Sequence, residues 1–200
     1  YPFTYAEGEA VFCLPEMAAE GRQLLYLLLP DGVARPLCTV ADDVAMADAT
    51  LFRHAGLYWI AYNDTRLGLH ENLCLRFATR LAGPWTPHPL NPVKVDVRSS
   101  RPGGTPFRVG DTLFRPAQDC SASYGCALAI NRIVACTPER YDEVLVARLS
   151  PDRSSRYPDG LHTFTVTSHG ILLDGKRMVF SAGILLQRLR RRLRSARHRH

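Results

Sequence analysis

A short phrase recurs along this chain with changed wording: an opening motif, a strand, a turn with glycine, and a second strand that ends in polar residues. Its copies begin Tyr1-Pro2-Phe3, Asp48-Ala49-Thr50-Leu51-Phe52, Arg101-Pro102-Gly103-Gly104 and His162-Thr163-Phe164. In the first three copies the turn glycine follows at Gly8, Gly56 and Gly110. A repeat of roughly 50 residues built from hairpins is typical of the blades of a β-propeller.

Further apolar runs of strand length lie between these phrases, so that each repeat supplies about four strands. They are Gln23 to Leu29, Asn72 to Ala78, Ala127 to Val134 and Glu143 to Leu149. A doubly wound α/β fold would need helical patterns of about 10 to 15 residues between the strands. Only Pro15 to Leu25 faintly offers such a pattern. The sequence therefore predicts an all-β fold made of antiparallel sheets.

The spacing of the copies gives three blades and part of another, and a ring of sheets closes with at least about four blades. An open ring would expose unpaired strand edges. We therefore predict a β-propeller over residues 1–180 with about four blades present, whose first blade is missing or incomplete in this chain.

A basic tail over residues 181–200 accounts for the net charge. It contains seven arginines, without which the formal charge falls from +6 to −1. Leucines at helical spacing oppose these arginines and predict a short amphipathic helix. This helix is either a solvated chain end or a peripheral contact with an anionic membrane. The nearly neutral remainder contains no groove-reading or base-stacking pattern, so a nucleic acid is not an expected partner.

The six cysteines predict neither a metal site nor a cofactor. They lack the paired close spacing of zinc sites, and Cys13, Cys74 and Cys136 stand in apolar, strand-like stretches. We therefore expect buried free thiols, although Cys120 and Cys126 flank a turn that a disulfide would also suit. The histidines and carboxylates show no metal-ligand spacing either.

Polar residues in or beside the apolar strand phrases are the candidate site residues. The innermost strand of each propeller blade lines the central axis, and a charge in an apolar strand is costly unless it is paired or faces water. The candidate catalytic residues are Glu16, Asp48 and Asp119, and the candidate substrate-binding residues are Arg101, Arg115, Gln118 and His162.

The three carboxylates are the residue type that glycoside hydrolysis needs, with one group held protonated and one ionised. Two structural alternatives stay open. Asp48 could instead close a blade turn through backbone N–H groups, and Glu16 could be an exposed strand end.

The run Arg115-Pro116-Ala117-Gln118-Asp119 combines arginine, amide and carboxylate, which together suit the vicinal hydroxyls of a sugar or a phosphate. An internal ion pair between Arg115 and Asp119 is the alternative. His162 either faces the axis or makes a structural hydrogen bond.

The chain resembles a known family in several motifs. The run Leu81-Ala82-Gly83-Pro84-Trp85-Thr86-Pro87-His88-Pro89-Leu90-Asn91-Pro92-Val93 is similar to the blade-linking segment of five-bladed propellers related to family-43 glycoside hydrolases. Together with the openings at Asp48 and Arg101 and the run Arg115 to Ser121, it resembles the N-terminal propeller domain of glucosamine inositolphosphorylceramide transferases and their bacterial relatives. The resemblance extends to about Phe180.

This resemblance implies five blades and a sugar-related role. In the family-43 hydrolases the first blade supplies the general base, and that blade is expected to be absent here. By blade position Asp48 is similar to the carboxylate that orients the acid and tunes its pKa, while Glu16 or Asp119 would be the acid. In the plant transferases the sugar-transfer chemistry belongs to a separate domain, so no transferase activity is implied.

Three functions are consistent with these observations. The first is a carbohydrate-recognising propeller in bacterial glycan or envelope polysaccharide metabolism, with a glycan as partner. The second is a glycosidase-like hydrolase using carboxylates at the propeller axis. The third is a structural propeller that docks a partner protein. The sequence leaves the oligomeric state open.

Overall fold

Consecutive antiparallel sheets make up the fold of this protein. A computed structural model describes residues 2–179 and Gly183. The first sheet contains β1 (Phe3–Glu7), β2 (Ala10–Leu14), β3 (Gln23–Leu28) and β4 (Ala34–Ala41), paired in that order. Its sequence order equals its spatial order, which is the meander of a propeller blade.

The next two sheets repeat this plan. The second contains β5 (Met46–His54), β6 (Leu57–Asp64), β7 (Asn72–Ala78) and β8 (Thr86–Pro87), and β9 (Lys94–Val95) also pairs with β7. The third contains β10 (Phe107–Val109), β11 (Thr112–Asp119), β12 (Ala127–Cys136) and β13 (Tyr141–Leu149). A hairpin of β14 (Phe164–Thr167) and β15 (Gly170–Leu173) follows.

The predicted turn glycines lie where the first two strands of each sheet meet. Gly8, Gly56 and Gly110 have φ values of 60°, 79° and 57°, in the left-handed region that favours glycine. Ala55 also has a positive φ of 49°, so the turn before β6 has two consecutive positive φ angles, as in a type I′ hairpin. The recurring phrase is therefore a recurring hairpin.

The hydrophobic core lies between neighbouring sheets rather than inside one layer. Alternate side chains of a strand point to opposite faces. On β5, Leu51 packs with the first sheet while Phe52 packs against the third, and both are buried. The β6 residues Ile60 and Trp59 divide in the same way. Because both faces of the second sheet are covered, its strands read as continuous apolar runs.

These observations confirm the all-β prediction. The four predicted apolar runs are all strands, with β3 ending at Leu28 and β12 continuing to Cys136. The faint helical pattern at Pro15 to Leu25 yields only a 3₁₀ turn at Ala18–Glu20. The predicted basic helix of residues 181–200 lies outside the described residues, and the five-blade count and the domain boundary at 180 stay predictions.

Two adjacent glycines allow the third sheet and the hairpin to approach each other closely. A Cβ on Gly103 would lie 2.7 Å from the backbone carbon of Ala117, and one on Gly104 would overlap the backbone of Phe164. Gly103 N–H donates to Pro116 O at 3.1 Å, and Phe164 N–H donates to Gly103 O at 2.8 Å. The opening motif of the third repeat thus lies between β11 and β14, and Arg101 O accepts from Gln118 N–H of β11 at 2.8 Å.

All six cysteines are free thiols, and Cys74, Cys120 and Cys136 are buried. Burial raises the pKa of Cys136 to about 12, which keeps this thiol protonated and unreactive. In the part of the chain that the structure describes, no helix is long and apolar enough to span a membrane.

Candidate functional site

A β-bulge at the start of β5 determines where Asp48 lies. The register of β5 against β6 shifts between Ala47 and Thr50, and Asp48 has a φ of 52°. Aspartate tolerates this left-handed conformation better than most residues. The hydroxyl of Thr50 donates to Asp48 O at 3.0 Å and braces the bulge. The bulge takes Asp48 out of the ladder, so that its carboxylate can meet residues from other sheets.

The Asp48 carboxylate is buried and joins two repeats. Arg101 Nε donates to Asp48 Oδ2 at 2.6 Å, and Gln118 Nε2 donates to the same oxygen at 2.7 Å. Gln118 Nε2 also donates to Pro102 O at 2.8 Å, which fixes its amide orientation. The exposed fraction of the Asp48 side chain is 3% and that of Arg101 is 12%. The site therefore rests on a charge-assisted pair that is arranged before any ligand binds.

Three further groups hold the Arg101 guanidinium. Its Nη1 donates to Leu69 O and lies 2.8 Å from His70 Nδ1. Its carbon Cζ lies 5.1 Å from the centre of the Tyr124 ring, a cation–π distance. Because arginine only donates, His70 Nδ1 acts as the acceptor and its proton sits on Nε2. Burial, helped by the charge of Arg101, lowers the pKa of His70 and favours this neutral form.

The Tyr124 ring contacts two histidine rings, those of His70 and His162. Its centroid lies 5.5 Å from that of His70, tilted by 40°, and 5.5 Å from that of His162, edge-on at 84°. Tyr124 is 40% exposed. Burial of part of the ring, followed by the nearby Asp48 charge, raises the pKa of its phenol, so the hydroxyl is protonated at neutral pH. The result is an aromatic surface, reachable by solvent, beside a charged pair.

The turn that carries Tyr124 is held from the hairpin side. Lys176 Nζ donates to Tyr124 O and to Ser123 Oγ. Gly125 has a φ of 56°, and a Cβ there would lie 2.5 Å from the Cβ of His162. The turn between β11 and β12 therefore packs directly on the opening of the fourth repeat.

The structure brings five of the seven predicted residues to one place. Asp48, Arg101 and Gln118 bond directly, and His162 joins them through the Tyr124 ring. Glu16 reaches the same place, since its exposed side chain accepts a hydrogen bond from Asp48 N–H at 3.1 Å. The "Asp48 site" below means this group together with two residues that the sequence did not indicate: Glu16, Asp48, His70, Arg101, Gln118, Tyr124 and His162.

His162 also has a partner outside this group. Its Nδ1 contacts the carboxylate of Asp174, whose other oxygen accepts the backbone N–H of His162 and of Thr163, both at 2.8 Å. Asp174 therefore fixes the orientation of the His162 ring. The histidine combines a structural role with a position against Tyr124.

Asp119 lies at the end of β11, and its carboxylate contacts Ser121 and Arg148, which are not part of the Asp48 site. Its Oδ1 accepts from Ser121 Oγ at 2.6 Å and its Oδ2 accepts from Arg148 Nε at 2.7 Å. Burial would raise the pKa of this carboxyl, but the hydrogen bonds from Ser121 and Arg148 outweigh it and lower the pKa. An ionised carboxylate with these partners has no proton to give, so the geometry disfavours Asp119 as a general acid.

Arg115 is 1% exposed and belongs to a buried network between sheets. It donates to Glu143 through Nε at 2.8 Å and through Nη2 at 2.6 Å, and also to the carbonyls of Ser99 and Ser100. Lys94 Nζ reaches Glu143 Oε1 at 2.8 Å. Arg115 thus pairs with Glu143 rather than with Asp119, and this network ties β9 of the second sheet to the third sheet.

Sequence reasoning missed His70 and Tyr124. Tyr124 lies in a Ser/Gly-rich turn, where the sequence indicated only a hairpin closure, and His70 lies in the loop before β7. Both reach the Asp48 site because loops at one end of neighbouring sheets meet there. Among the described residues, no group of three or more histidine, cysteine or carboxylate side chains is arranged to hold a metal ion.

Comparisons with known proteins agree on family and fold. The family model for the N-terminal domain of glucosamine inositolphosphorylceramide transferase 1 matches residues 1–160. The chain is 32% identical over 151 residues to the protein of that name from Oryza sativa subsp. indica and 30% identical to that from Arabidopsis thaliana. Each alignment covers 73% of this chain and 20% of the relative, so the chain spans about a fifth of their length.

Solved structures with the same fold include carbohydrate-active enzymes. An exo-β-1,3-galactanase from Clostridium thermocellum has a TM-score of 0.55 at 12% identity, covering 90% of this chain and 46% of its own. A Xanthomonas citri GH43_1 enzyme complexed with xylose has a TM-score of 0.53 at 14% identity, covering 80% of this chain and 61% of its own. These similarities confirm the β-propeller fold.

Proposed function

The chain belongs to the family of the N-terminal domain of glucosamine inositolphosphorylceramide transferase 1, and from this premise we propose that it is a carbohydrate-recognising propeller that binds a sugar at the Asp48 site. Its setting in bacterial glycan or envelope polysaccharide metabolism is part of the proposal. The relatives reported above are plant proteins. The bacterial setting is favoured by the composition of this chain, in which arginine greatly outnumbers lysine and Lys94 and Lys176 are the only lysines, since this bias fits a GC-rich bacterial genome.

One observation carries the proposal: a half-exposed aromatic ring lies directly beside a preorganised ion pair. Tyr124 is 40% exposed, and the guanidinium of Arg101 lies 5.1 Å from its ring centre. A sugar ring has an apolar face of C–H groups and an edge of hydroxyls. Tyr124 suits the face, while the Arg101 guanidinium, held in place by Asp48, suits a neighbouring hydroxyl as donor.

The polar groups are fixed before binding, which lowers the entropic cost of binding. Arg101 is held by Asp48, Leu69 O and His70. Gln118 is locked between Asp48 and Pro102 O, and its buried Oε1 has no hydrogen-bond partner.

The test is a glycan array with the full chain, followed by calorimetry on the glycans that bind. Tyr124→Ala is expected to weaken binding about tenfold, because the ring surface that would stack on the sugar face is lost while Arg101 stays held by Asp48, Leu69 O and His70. Tyr157→Ala is the matched control, since Tyr157 is 46% exposed and lies 5.7 Å from an arginine, Arg156. The proposal fails if the wild type binds no glycan, or if Tyr124→Ala binds as tightly as the control.

A glycosidase is the second candidate, and Glu16 is the observation that favours it. Its exposed carboxyl group reaches the backbone N–H of Asp48, so two carboxyl groups share one site. Asp48 Oδ2 accepts two hydrogen bonds and acts as an acceptor. We assign Glu16 as the proton donor because its side chain is exposed at this site, and the backbone N–H of Asp48 orients it.

Release of monosaccharides from polysaccharides by the full chain tests this candidate. Loss of a general acid typically costs on the order of 10² to 10⁴ in rate, so Glu16→Gln should show such a loss. Asp119→Asn should keep most of the activity, because Arg148 and Ser121 occupy that carboxylate. Wild-type turnover in Glu16→Gln, or no release by the wild type, would exclude the candidate.

A further inference from the structure

A cavity lies beside the turn that carries Tyr124 and is lined by Ala122, Ser123 and Cys126 of that turn. Its volume is about 310 Å³, and it opens between the turn after β11 and the segment after β13. The polar side chains of this "arginine pocket" are Ser123, Cys126, Arg148, Ser150, Arg153 and Asp159. The volume is at the lower end of the range of small-molecule sites, roughly 300 to 1,000 Å³, and suits one sugar-sized group.

Arg148 is fixed in this pocket before any ligand arrives. Its Nε donates to Asp119 Oδ2 at 2.7 Å, and its Nη1 donates to Ser150 Oγ at 2.8 Å. Asp119 is in turn fixed by the backbone N–H and hydroxyl of Ser121. A long side chain held in one conformation loses little entropy on binding a ligand. The Asp119 side chain, 3% exposed, thus positions an arginine side chain that is 49% exposed.

Part of this guanidinium still lacks a strong acceptor. Arg148 Nη2 points to Cys126 Sγ at 4.0 Å, and a thiol is a weak acceptor. Arginine offers its donors as a planar fork that matches the two oxygens of a carboxylate or phosphate. The geometry of Arg148 therefore leaves room for an oxyanion on its pocket side.

The charges around the pocket favour an anion. Arg153 lines it and is exposed, and Lys176 Nζ reaches Ser123 Oγ at the turn, at 3.3 Å. The carboxylates of Asp119 and Asp159 oppose these cations, but both already accept hydrogen bonds from the chain itself, the latter from Met178 N–H at 2.6 Å. The groups in the pocket that remain available for a ligand are therefore hydrogen-bond donors.

We propose that the arginine pocket binds an oxyanion, a carboxylate or a phosphate, through the Arg148 fork and Arg153. This pocket is separate from the Asp48 site and its argument does not depend on the sugar proposed there. A free phosphate and an acidic group carried by a sugar have the chemistry that the two guanidinium groups recognise.

Calorimetry with the full chain at low ionic strength tests the proposal with three probes: inorganic phosphate, glucuronate, and glucose as the neutral counterpart of glucuronate. Phosphate or glucuronate should bind, more weakly as salt is added, since exposed charges are screened. Tighter binding of glucuronate identifies a sugar-borne carboxylate, and tighter binding of phosphate identifies the free ion. Glucose bound as tightly as glucuronate, or no binding of either anion, overturns the proposal.

Arg153→Gln is the decisive variant, because Arg153 is exposed and its loss leaves the fold intact. It should weaken anion binding about tenfold, the value of one charge-assisted hydrogen bond. Arg140→Gln is the matched control, since Arg140 is an exposed arginine paired with Asp142 just before β13. Equal affinities in the two variants would overturn the proposal. If a glycan binds at Tyr124 and neither anion binds, the arginine pocket proposal fails while the proposed sugar site stands.

Discussion

Arg101 and Asp48 stand 53 residues apart in sequence, yet Arg101 Nε donates to Asp48 Oδ2 across 2.6 Å. Each opens a different repeat, so this pair joins the start of the second sheet to the segment that leads into the third. A salt bridge this deeply buried depends on both partners, because either one alone is a charge without compensation.

Asp48→Asn should therefore destabilise the protein. The amide keeps the shape but removes the charge that balances Arg101, and breaking a buried pair costs about 3 to 5 kcal/mol. Urea unfolding should show a loss in that range. Asp142→Asn, which breaks an exposed pair with Arg140, should change the free energy of unfolding by less than about 1 kcal/mol. Similar small changes in both variants would contradict the prediction.

Glu143→Gln should lower stability without affecting glycan binding. Arg115 and Glu143 are 1% and 2% exposed, so the expected loss is again about 3 to 5 kcal/mol. Glu20→Gln, which breaks an exposed pair with Arg22, is the control and should cost less than about 1 kcal/mol. Calorimetry under conditions where Glu143→Gln is folded should give wild-type affinity for glycans. A loss of affinity in the folded variant would contradict the prediction and indicate that Arg115 contributes to glycan binding.

Stability should fall as the pH is lowered, in part because of His70. Burial and Arg101 lower the pKa of His70 in the folded protein, so the unfolded chain takes up this proton first. The contribution is present above the unfolded pKa of about 6.5 and is lost as the pH falls below it towards the lower folded pKa.

His70→Gln tests this pH dependence, since a glutamine oxygen can still accept from Arg101. The variant should show a smaller decline in the free energy of unfolding between about pH 6.5 and pH 5 than the wild type. His169→Gln, at an exposed turn before β15, should decline as the wild type does. An unchanged decline in His70→Gln would rule out its contribution.

Gly125→Ala should weaken glycan binding, whereas the comparable substitution Gly110→Ala should not. The substitution adds a Cβ in a left-handed conformation and against His162, so the turn that carries Tyr124 must shift. Gly110→Ala has nearly the same φ of 57° but no atom within 4 Å of the added Cβ. Both should lose about 1 to 2 kcal/mol of stability from the backbone conformation. Only Gly125→Ala should bind glycans more weakly, and equal affinities would mean that the turn does not position the ligand.

The sequence predicted the hairpins well because their signals are local. A glycine that must adopt a positive φ, such as Gly56, marks a turn whatever lies around it. Strands covered on both faces leave a continuous apolar run, which is why β7 begins and ends where the apolar run does. The same run does not say which face meets which neighbour.

The candidate site was harder to predict, because its residues were chosen for being polar in apolar surroundings. That criterion selects Asp48 and Arg115 alike, and both are buried. It cannot tell a charge that faces a ligand from one that is paired inside the protein. Arg115 has Glu143, an acid on the next strand but one, as its partner, and only the pairing of β11, β12 and β13 brings the two together.

The sequence by itself determined the all-β repeat, the hairpin turns and the special positions at which each repeat opens, because these depend on residues a few positions apart. Only the tertiary structure decided which openings meet. Contacts that span 31 residues, from His70 to Arg101, and 70 residues, from Asp48 to Gln118, depend on the packing of neighbouring sheets. Strand alternation fixes the face on which a side chain lies, but the packing and the bulge at Asp48 fix what it touches.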